Sequence, residues 1–535
     1  MKKNRISLIL TVLCAFVCLN VEAQATSNVP AKGAAMKFDE KTRYSKMVID
    51  SRIYDFKANT SAAAFAKYDG DKKISSRSGK ASGLDYVPGL VAKAVVEAAE
   101  YYKNEEFAKA WYNSVADYAN GCYGSVETGG GSLDNLNAVK MYFGVNELSK
   151  SGGLFEDNAT YKQTLTAMER AVKGLKAHND KYAISESTLK DAAGGWWHKS
   201  AYVNQMWCDG QYMGPALLAQ LNNYGYSIND GGDWDMIVKQ FTISWKYLWN
   251  EDTRLLYHCF TADPKDNASK DWEGISKEEP KVYHSAEYWG RAEGWYFLAL
   301  VDVLEEMQKA DMKNTENYKT LREYLNKVAE GLKAKQDAET GCWYQLLNHD
   351  GSFKPKNDYN STYRYTSNDV ANYLESSATA IFTASYLKGM RLGLFDEDYT
   401  DVAKKAYKGI VEQFMKADGN GGVHLVRCCK SAGLGGSNYR NGSALYYLVG
   451  KDTKPTSADP SSSDFYTEGK VLGAFIMAAT EYERRFLDGN NGNTGIHGIT
   501  MKDTNNGRVY NIAGQRIERD HKGLVIKDGK KIYNY

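Results

Sequence analysis

The chain has 535 residues, 43% of them hydrophobic and 25% charged, enough to bury a large core in one big domain or several ordinary ones. Lysine and arginine total 67 against 66 acidic residues, a formal net charge of +1, and this balance lacks the basic excess that a nucleic-acid partner requires. Aromatic residues make up 13% of the chain, with 39 tyrosines and 11 tryptophans, flat faces that suit sugar rings as well as helix packing.

The first residues, MKKNRISLILTVLCAFVCLNVEAQA, place Lys2, Lys3 and Arg5 ahead of an apolar run from Ile6 to Leu19, with Val21-Glu22-Ala23 after it. That order reads as a removable secretory signal over residues 1–23 and sends the mature chain to the periplasm or the cell exterior. The run is too short for a membrane span, and no later stretch is long and uncharged enough to be one. Cys14 and Cys18 follow the bulky Leu13 and Val17 rather than the small residues that precede a lipid-bearing cysteine. Cys122, Cys208, Cys259, Cys342, Cys428 and Cys429 are scattered without a C-x-x-C spacing and read as small core residues.

Residues 24–487 are dominated by apolar residues at spacings of three and four, the mark of helices packed on one face. The periodic stretches begin at Gly89, Asn135, Tyr161, Trp234, Gly294, Tyr318, Ser377, Asp401 and Glu468. Roughly a dozen helices fit between Met36 and Phe486, separated by long Gly- and Asn-rich loops that carry most of the unusual residues. Such an alternation suits a closed helical toroid with its functional loops gathered at one end. Residues 488–535 differ: the linker DGNNGNTG leads into GRVYNIAGQRIERDHKGLVIKDGKKIYNY, short β-type runs around glycine turns. This tail resembles the C-terminal sorting tails of bacterial proteins exported by the type IX route, and also reads simply as an ordered strand extension.

Several chemistries lack their key residues. There is no G-x-S-x-G elbow, no P-loop and no G-x-G-x-x-G after a strand. His198, His258, His284, His349 and His424 are far apart, without the H-E-x-x-H pair that places two metal ligands on one helical face.

What stands out is a style shared by several stretches: SLDNLNAVK at Ser132, GGWWHK at Gly194, QMWCDGQYMGPALLAQL at Gln205, YHCF at Tyr257, YWGRAEGWYFLALVDVLE at Tyr288, NYLESSATAIFTASYLKGMRLG at Asn372 and AGLGGSNYRNGSALYYL at Ala432. In this order they closely resemble the family 105 glycoside hydrolases, the unsaturated rhamnogalacturonyl hydrolases, and more distantly the family 88 unsaturated glucuronyl hydrolases. The resemblance spans Asp85 to Glu483, and the ordered set makes it specific where a single W-G-R would not. It implies an all-α fold, an (α/α)6 barrel, to which the short β-rich tail is appended. It further implies a substrate that is an oligosaccharide ending in a uronic acid with a C4=C5 double bond left by a polysaccharide lyase. Hydration of that bond releases the remaining sugar, with no nucleotide, metal or other cofactor, in a monomer or weak oligomer.

By the same resemblance Asp209, in D-G-Q-Y-M-G, is the catalytic residue that protonates C4 and then activates water toward C5. A group serving as acid and then base works best with a pKa near the working pH, and burial beside Trp196, Trp197, Trp207 and Tyr212 is expected to raise that of Asp209. Read alone, Asp209 is an ordinary polar residue ahead of a helix starting at Gly214-Pro215. Asp134 corresponds to an acidic residue that orients hydroxyls or water beside Asp209, and it also reads as a helix cap. Arg291 offers two parallel donors to a uronate carboxylate, or else an interhelical ion pair. His198, Lys199 and His258 match residues lining the subsite, and Trp295 and Tyr86 are candidates to stack on sugar faces.

The chain departs from the pattern at Cys208, where an aliphatic residue is usual, and in the loop TADPKDNASKDW with the following KEEPKVYHSAEYW, which bear on the leaving sugar. Two other readings stay open. An ordinary inverting glycosidase needs two carboxylates with room for a water, and Asp209 with Asp134, Glu287 or Glu293 supplies candidates. A noncatalytic polysaccharide-binding protein also fits a secreted, aromatic-rich helical chain, but has no need of Asp209.

Overall fold

A computed structural model describes residues 29–52, 84–266, 269–355, 370–436, 439–450 and 452–489, together with four short strands of the tail. The expected signal segment lies outside the described residues, as does most of the linker. In chain order the helices are α1 (Tyr44–Arg52), α2 (Tyr86–Tyr101), α3 (Glu106–Cys122), α4 (Leu133–Asn137), α5 (Lys140–Ser149), α6 (Asn158–Lys181), α7 (Cys208–Met213) and α8 (Pro215–Asn223). They continue as α9 (Asp233–Leu248), α10 (Gly290–Lys309), α11 (Glu316–Lys335), α12 (Ser376–Arg391), α13 (Thr400–Gly409), α14 (Ala444–Val449) and α15 (Gly469–Phe486).

Burial sorts these helices into two layers. Every residue of α10 from Gly290 to Met307 is buried, and so is every residue of α12 from Ser376 to Leu387. A helix apolar or small on all sides belongs inside. In α11 the buried positions Tyr318, Leu321, Leu325, Val328, Ala329 and Leu332 keep the three-and-four spacing of a helix with one face in water. The inner helices close a ring: α2 packs on α5 and α15, α15 on α12, α12 on α10, α10 on α7 and α8, and α8 on α5. Helices α3, α6, α9, α11, α13 and α1 cover that ring, and the result is the (α/α)6 barrel. Because each outer helix runs back antiparallel to the inner one it precedes, all the inner N-termini gather at one end.

Away from that end the inner helices are tied by buried ion pairs. Lys388 of α12 reaches Asp302 at 2.6 Å and Glu305 at 2.7 Å on α10, and Arg391 pairs with Glu481 of α15 at 2.8 Å. Charges removed from water persist only when paired in this way.

Two helices differ from the expected extents. The stretch from Asn135 breaks into α4 and α5 at Ala138, and the stretch from Asp401 stops at Gly409, followed by one wider turn and the strand β5. Gly409 lies so close to the Thr340 carbonyl that a Cβ would stand 2.2 Å from it, so this helix end is fixed by a neighbour and not by its own period.

Short antiparallel strands decorate the loops: β1 (Gln205–Trp207) with β4 (Cys259–Thr261), β2 (Trp249–Asn250) with β3 (Leu255–Leu256), and β5 (Met415–Ala417) with β6 (Val423–Leu425). The chain divides into two compact units, up to Asn491 and from Gly492. The second holds β7 (Val509–Asn511), β8 (Arg516–Ile517), β9 (Gly523–Lys527) and β10 (Lys530–Asn534), antiparallel in the order β10-β9-β7-β8. No helix among the described residues is long and apolar enough to cross a membrane.

Candidate active site

β1 ends at Trp207 and α7 begins at Cys208, which puts Asp209 in the first turn of α7. β4 pairs beside β1 in the register Trp207↔Cys259, and the Cys208 N–H donates to the His258 carbonyl at 3.0 Å. The two strands thus carry Asp209 and His258 side by side, with Oδ2 3.4 Å from Nε2. Neither atom completes a hydrogen bond among the described residues, so both keep capacity for a further group.

His258 is fully buried, and burial pushes its imidazole toward the neutral form against the pull of Asp209. Its Nδ1 meets the Tyr447 hydroxyl at 2.7 Å. Burial also keeps Tyr447 protonated, so the hydroxyl is able to donate to Nδ1 and leave Nε2–H facing the Asp209 carboxylate.

The loop after Gly194 is laid against the start of α4. The Leu133 N–H donates to the His198 carbonyl at 3.3 Å and Ser132 bridges to Lys199, which brings both side chains onto Asp134. His198 Nε2 lies 3.0 Å from Oδ1 of Asp134, and Lys199 Nζ pairs with Oδ2. Burial raises the Asp134 pKa, but the adjacent Lys199 and His198 outweigh it and hold the carboxyl far below the usual range. Asp134 is therefore a fixed anion and acceptor, not a proton donor. Gly210 allows this packing, since a Cβ there would stand 3.2 Å from Nδ1 of His198. Trp207 stacks on His198 at 5.0 Å and on Tyr202 at 4.7 Å.

On the opposite side Arg291 opens α10 at 2% exposure, its guanidinium 4.5 Å from the Trp289 ring centroid. Its Nη1 donates to the Ser377 hydroxyl and the Cys429 carbonyl, while Nε and Nη2 have no partner among the described residues. The charge of Arg291 is felt by Lys470 in the first turn of α15, and both cations interact with the half-buried Tyr86 at the start of α2.

The aromatic residues divide differently from their order in the sequence. Trp207 borders His258 edge-on at 5.1 Å. Trp196 instead fills the groove at Gly214, where a Cβ would meet its ring at 3.1 Å. Tyr212 stacks on Trp295 at 4.8 Å and takes the Lys140 ammonium 3.3 Å from its ring centroid. Trp295 is 1% exposed and has no free face. Glu293 is fully buried, with one oxygen accepting from the Leu256 N–H at 2.8 Å, and burial pushes its pKa up to about 8. Glu287 pairs loosely with His349 at 3.5 Å. Sequence reasoning left Tyr447, Lys470 and His349 without a role, although Tyr447 lies inside the AGLGGSNYRNGSALYYL stretch.

The sequence profile described as Glycosyl Hydrolase Family 88 matches residues 59–486. Protein Atu3128 of Agrobacterium fabrum (strain C58) is 30% identical over 208 residues, which cover 38% of this chain and 74% of that protein. A glycoside hydrolase from family 105 of C. acetobutylicum ATCC 824 superimposes with a TM-score of 0.58 at 25% identity, covering 83% of this chain and 99% of that one. A possible family 105 member from Salmonella enterica shares the fold, with a TM-score of 0.52 at 19% identity over 76% of this chain and 84% of the other.

Proposed function

The chain belongs to Glycosyl Hydrolase Family 88 and is a glycosidase, and from that premise we propose that it removes a terminal 4,5-unsaturated uronic acid from lyase-generated oligosaccharides by hydrating the C4=C5 bond. The observation that carries this reading is the pair Asp209 Oδ2 and His258 Nε2, 3.4 Å apart and both without a completed hydrogen bond. One unengaged carboxyl beside a neutral imidazole matches a reaction in which a single group gives a proton and takes one back.

In this mechanism protonated Asp209 donates to C4, and the resulting Asp209 carboxylate takes a proton from the water whose oxygen bonds to C5. The product is a C5 hemiketal. Its ring opens to a C5 ketone, C1 becomes a hemiacetal, and that centre expels the remaining sugar as an alcohol. The balance is one water added and one glycosidic bond lost. His258, held by Tyr447, fixes the orientation of Asp209. Asp134, held anionic by Lys199 and His198, accepts hydroxyls of the uronate ring. Arg291 supplies Nε and Nη2 to the uronate carboxylate. Pectin or rhamnogalacturonan fragments are the proposed source of substrate. The proposed arrangement is a signal over 1–23, a catalytic barrel over 24–487 and a tail over 488–535, in a protein exported to the periplasm or beyond.

The test incubates the protein with lyase-generated unsaturated disaccharides and with their saturated counterparts. Loss of the ultraviolet absorbance of the conjugated enol ether, without sugar release from saturated substrates, is the expected result. Release from both at equal rates refutes hydration and favours ordinary inversion at the anomeric carbon.

A further inference from the structure

Among the described residues three histidine–carboxylate pairs stand at this end of the barrel: Asp134 with His198, Asp209 with His258, and Glu287 with His349. The proposed chemistry uses the first two. The third lies beside them, since the Glu287 carbonyl accepts from the His258 N–H at 3.3 Å. Glu287 and Asp209 both act electrostatically on Tyr447, whose hydroxyl meets Nδ1 of His258. Glu287 lies within KEEPKVYHSAEYW, the end of the lengthened rim segment.

The third pair is not a closed one. His349 Nε2 meets Asn348 Nδ2 at 3.0 Å and stands 3.5 Å from Oε2 of Glu287, with which it completes no hydrogen bond. The imidazole is fixed by stacking on Phe353, with centroids 3.5 Å apart and planes at 9°. Oε2 of Glu287 and Oδ1 of Asn348 are left buried without hydrogen-bond partners among the described residues. Two buried acceptors without donors, on residues that both contact one imidazole and with the Glu287 backbone bonded to His258, are able to take hydroxyl groups.

We propose that Glu287 and Asn348 form the subsite for the leaving sugar and select a neutral sugar that offers free hydroxyls. Resting on the hydrolase reading above, this excludes leaving sugars that carry a carboxylate or sulfate near these groups. A carboxylate without a donor attracts a hydroxyl and repels a second anion, so Glu287 contributes to both preference and rejection.

The experiment uses three substrates with the same unsaturated uronate and different leaving groups: a neutral hexose or deoxyhexose, a sulfated hexosamine, and methanol. Wild-type protein is expected to favour the neutral disaccharide over the sulfated one. Glu287→Gln keeps the side-chain shape and removes the charge. Its loss of kcat/KM on the neutral disaccharide should exceed its loss on the methyl glycoside by about tenfold or more, the usual effect of removing a hydrogen bond to a charged group. Its discrimination against the sulfated disaccharide should shrink. Asn348→Ala should show the first effect without the second. Equal losses on the neutral disaccharide and the methyl glycoside, or undiminished rejection of the sulfated substrate, overturn the proposal while the hydrolase reading stands. Wild-type protein inert toward all three substrates overturns the hydrolase reading itself, and the subsite with it.

Discussion

Glu293→Gln separates a buried structural acid from a catalytic one, and its effect on stability has a pH signature that the structure fixes. Glu293 is fully buried, accepts only the Leu256 N–H among the described residues, and has a pKa pushed from 4.5 to about 8 by burial. The folded protein therefore keeps this proton up to about pH 8, whereas the unfolded chain releases it near 4.5. Between those values the unfolded state binds fewer protons, so the contribution of Glu293 is complete below pH 4.5, declines as pH rises and is lost above about 8. At 1.36 kcal/mol per pH unit the full span amounts to about 5 kcal/mol. Glutamine mimics the neutral acid at every pH. Urea unfolding of both proteins across this range should give a stability difference that shifts in favour of the variant by roughly 4 kcal/mol between pH 4 and pH 8. Any packing cost of the amide adds a constant offset that does not affect this shift. A difference that stays flat from pH 4 to pH 8 refutes the burial argument. Turnover should persist in the variant, and its abolition would return Glu293 to the list of carboxylates for an inverting pair.

Four further outcomes are expected. Asp209→Asn should fold normally and lose activity by about 10⁴-fold, because acid and base contributions of about 10²–10⁴ each reside in one group; in heavy water the wild-type product should carry deuterium at C4, and an unlabelled C4 would contradict the proton source. Tyr447→Phe removes the hydroxyl on Nδ1 of His258 and should lower kcat by roughly 2–10-fold, in line with about 0.5–1.5 kcal/mol for one hydrogen bond, with KM little changed; a pure KM effect would place Tyr447 against the substrate instead. Arg291→Ala should lower kcat/KM by roughly 10-fold or more through the loss of charge-assisted contacts, and an unaltered value would confine Arg291 to its bonds with Ser377 and Cys429. Lys388→Met removes the cation that bonds both Asp302 and Glu305 and should destabilise the barrel by about 3 kcal/mol in thermal or urea melts; unchanged melting would show that the inner helices do not depend on this tie.

The barrel was legible where a helix faces its neighbours on one side or on all sides, since both patterns survive in a linear string. α3 was not singled out because its buried face mixes Ala108, Trp111, Tyr112, Val115, Ala116 and Tyr118, small and hydroxyl-bearing residues that blur the period. The break between α4 and α5 at Ala138 carries no proline or glycine to announce it. In the site, the ordered motifs pointed to Asp209, Asp134, His198, Lys199 and His258, and the structure brings these five together. The link between Asp209 and His258 depends on strands of three residues, too short to show alternation, that join positions far apart in the chain. Tyr212 follows Asp209 on the short helix α7 but turns toward Trp295, and Trp196, in the loop ahead of β1, turns toward Gly214. Glu287 and His349 come from different loops, and no local spacing connects them.

The placement of the substrate's charge follows from which helix ends the protein has already used. An α-helix N-terminus carries unpaired N–H groups and a partial positive charge, and it attracts a carboxylate. Asp85 caps α2 by accepting from the Val87 N–H at 3.1 Å, and Glu375 caps α12 through the Ala378 N–H at 2.6 Å. Both ends thus hold an internal carboxylate and offer little to another anion. α10 and α15 have no side-chain cap, and their first turns carry Arg291 and Lys470; the one acid in these two turns, Glu293 of α10, accepts from the Leu256 N–H and is kept neutral by burial up to about pH 8. Lys470 is engaged by Glu468 at 2.9 Å, whereas Arg291 keeps Nε and Nη2 without partners among the described residues. In the proposed reaction the uronate carboxylate therefore belongs at the start of α10, where a helix end without a side-chain cap and an unengaged guanidinium edge coincide. That position leaves the ring hydroxyls for Asp134 and the C4=C5 bond for Asp209, so that one anionic substrate meets two carboxylates without setting its own charge against either.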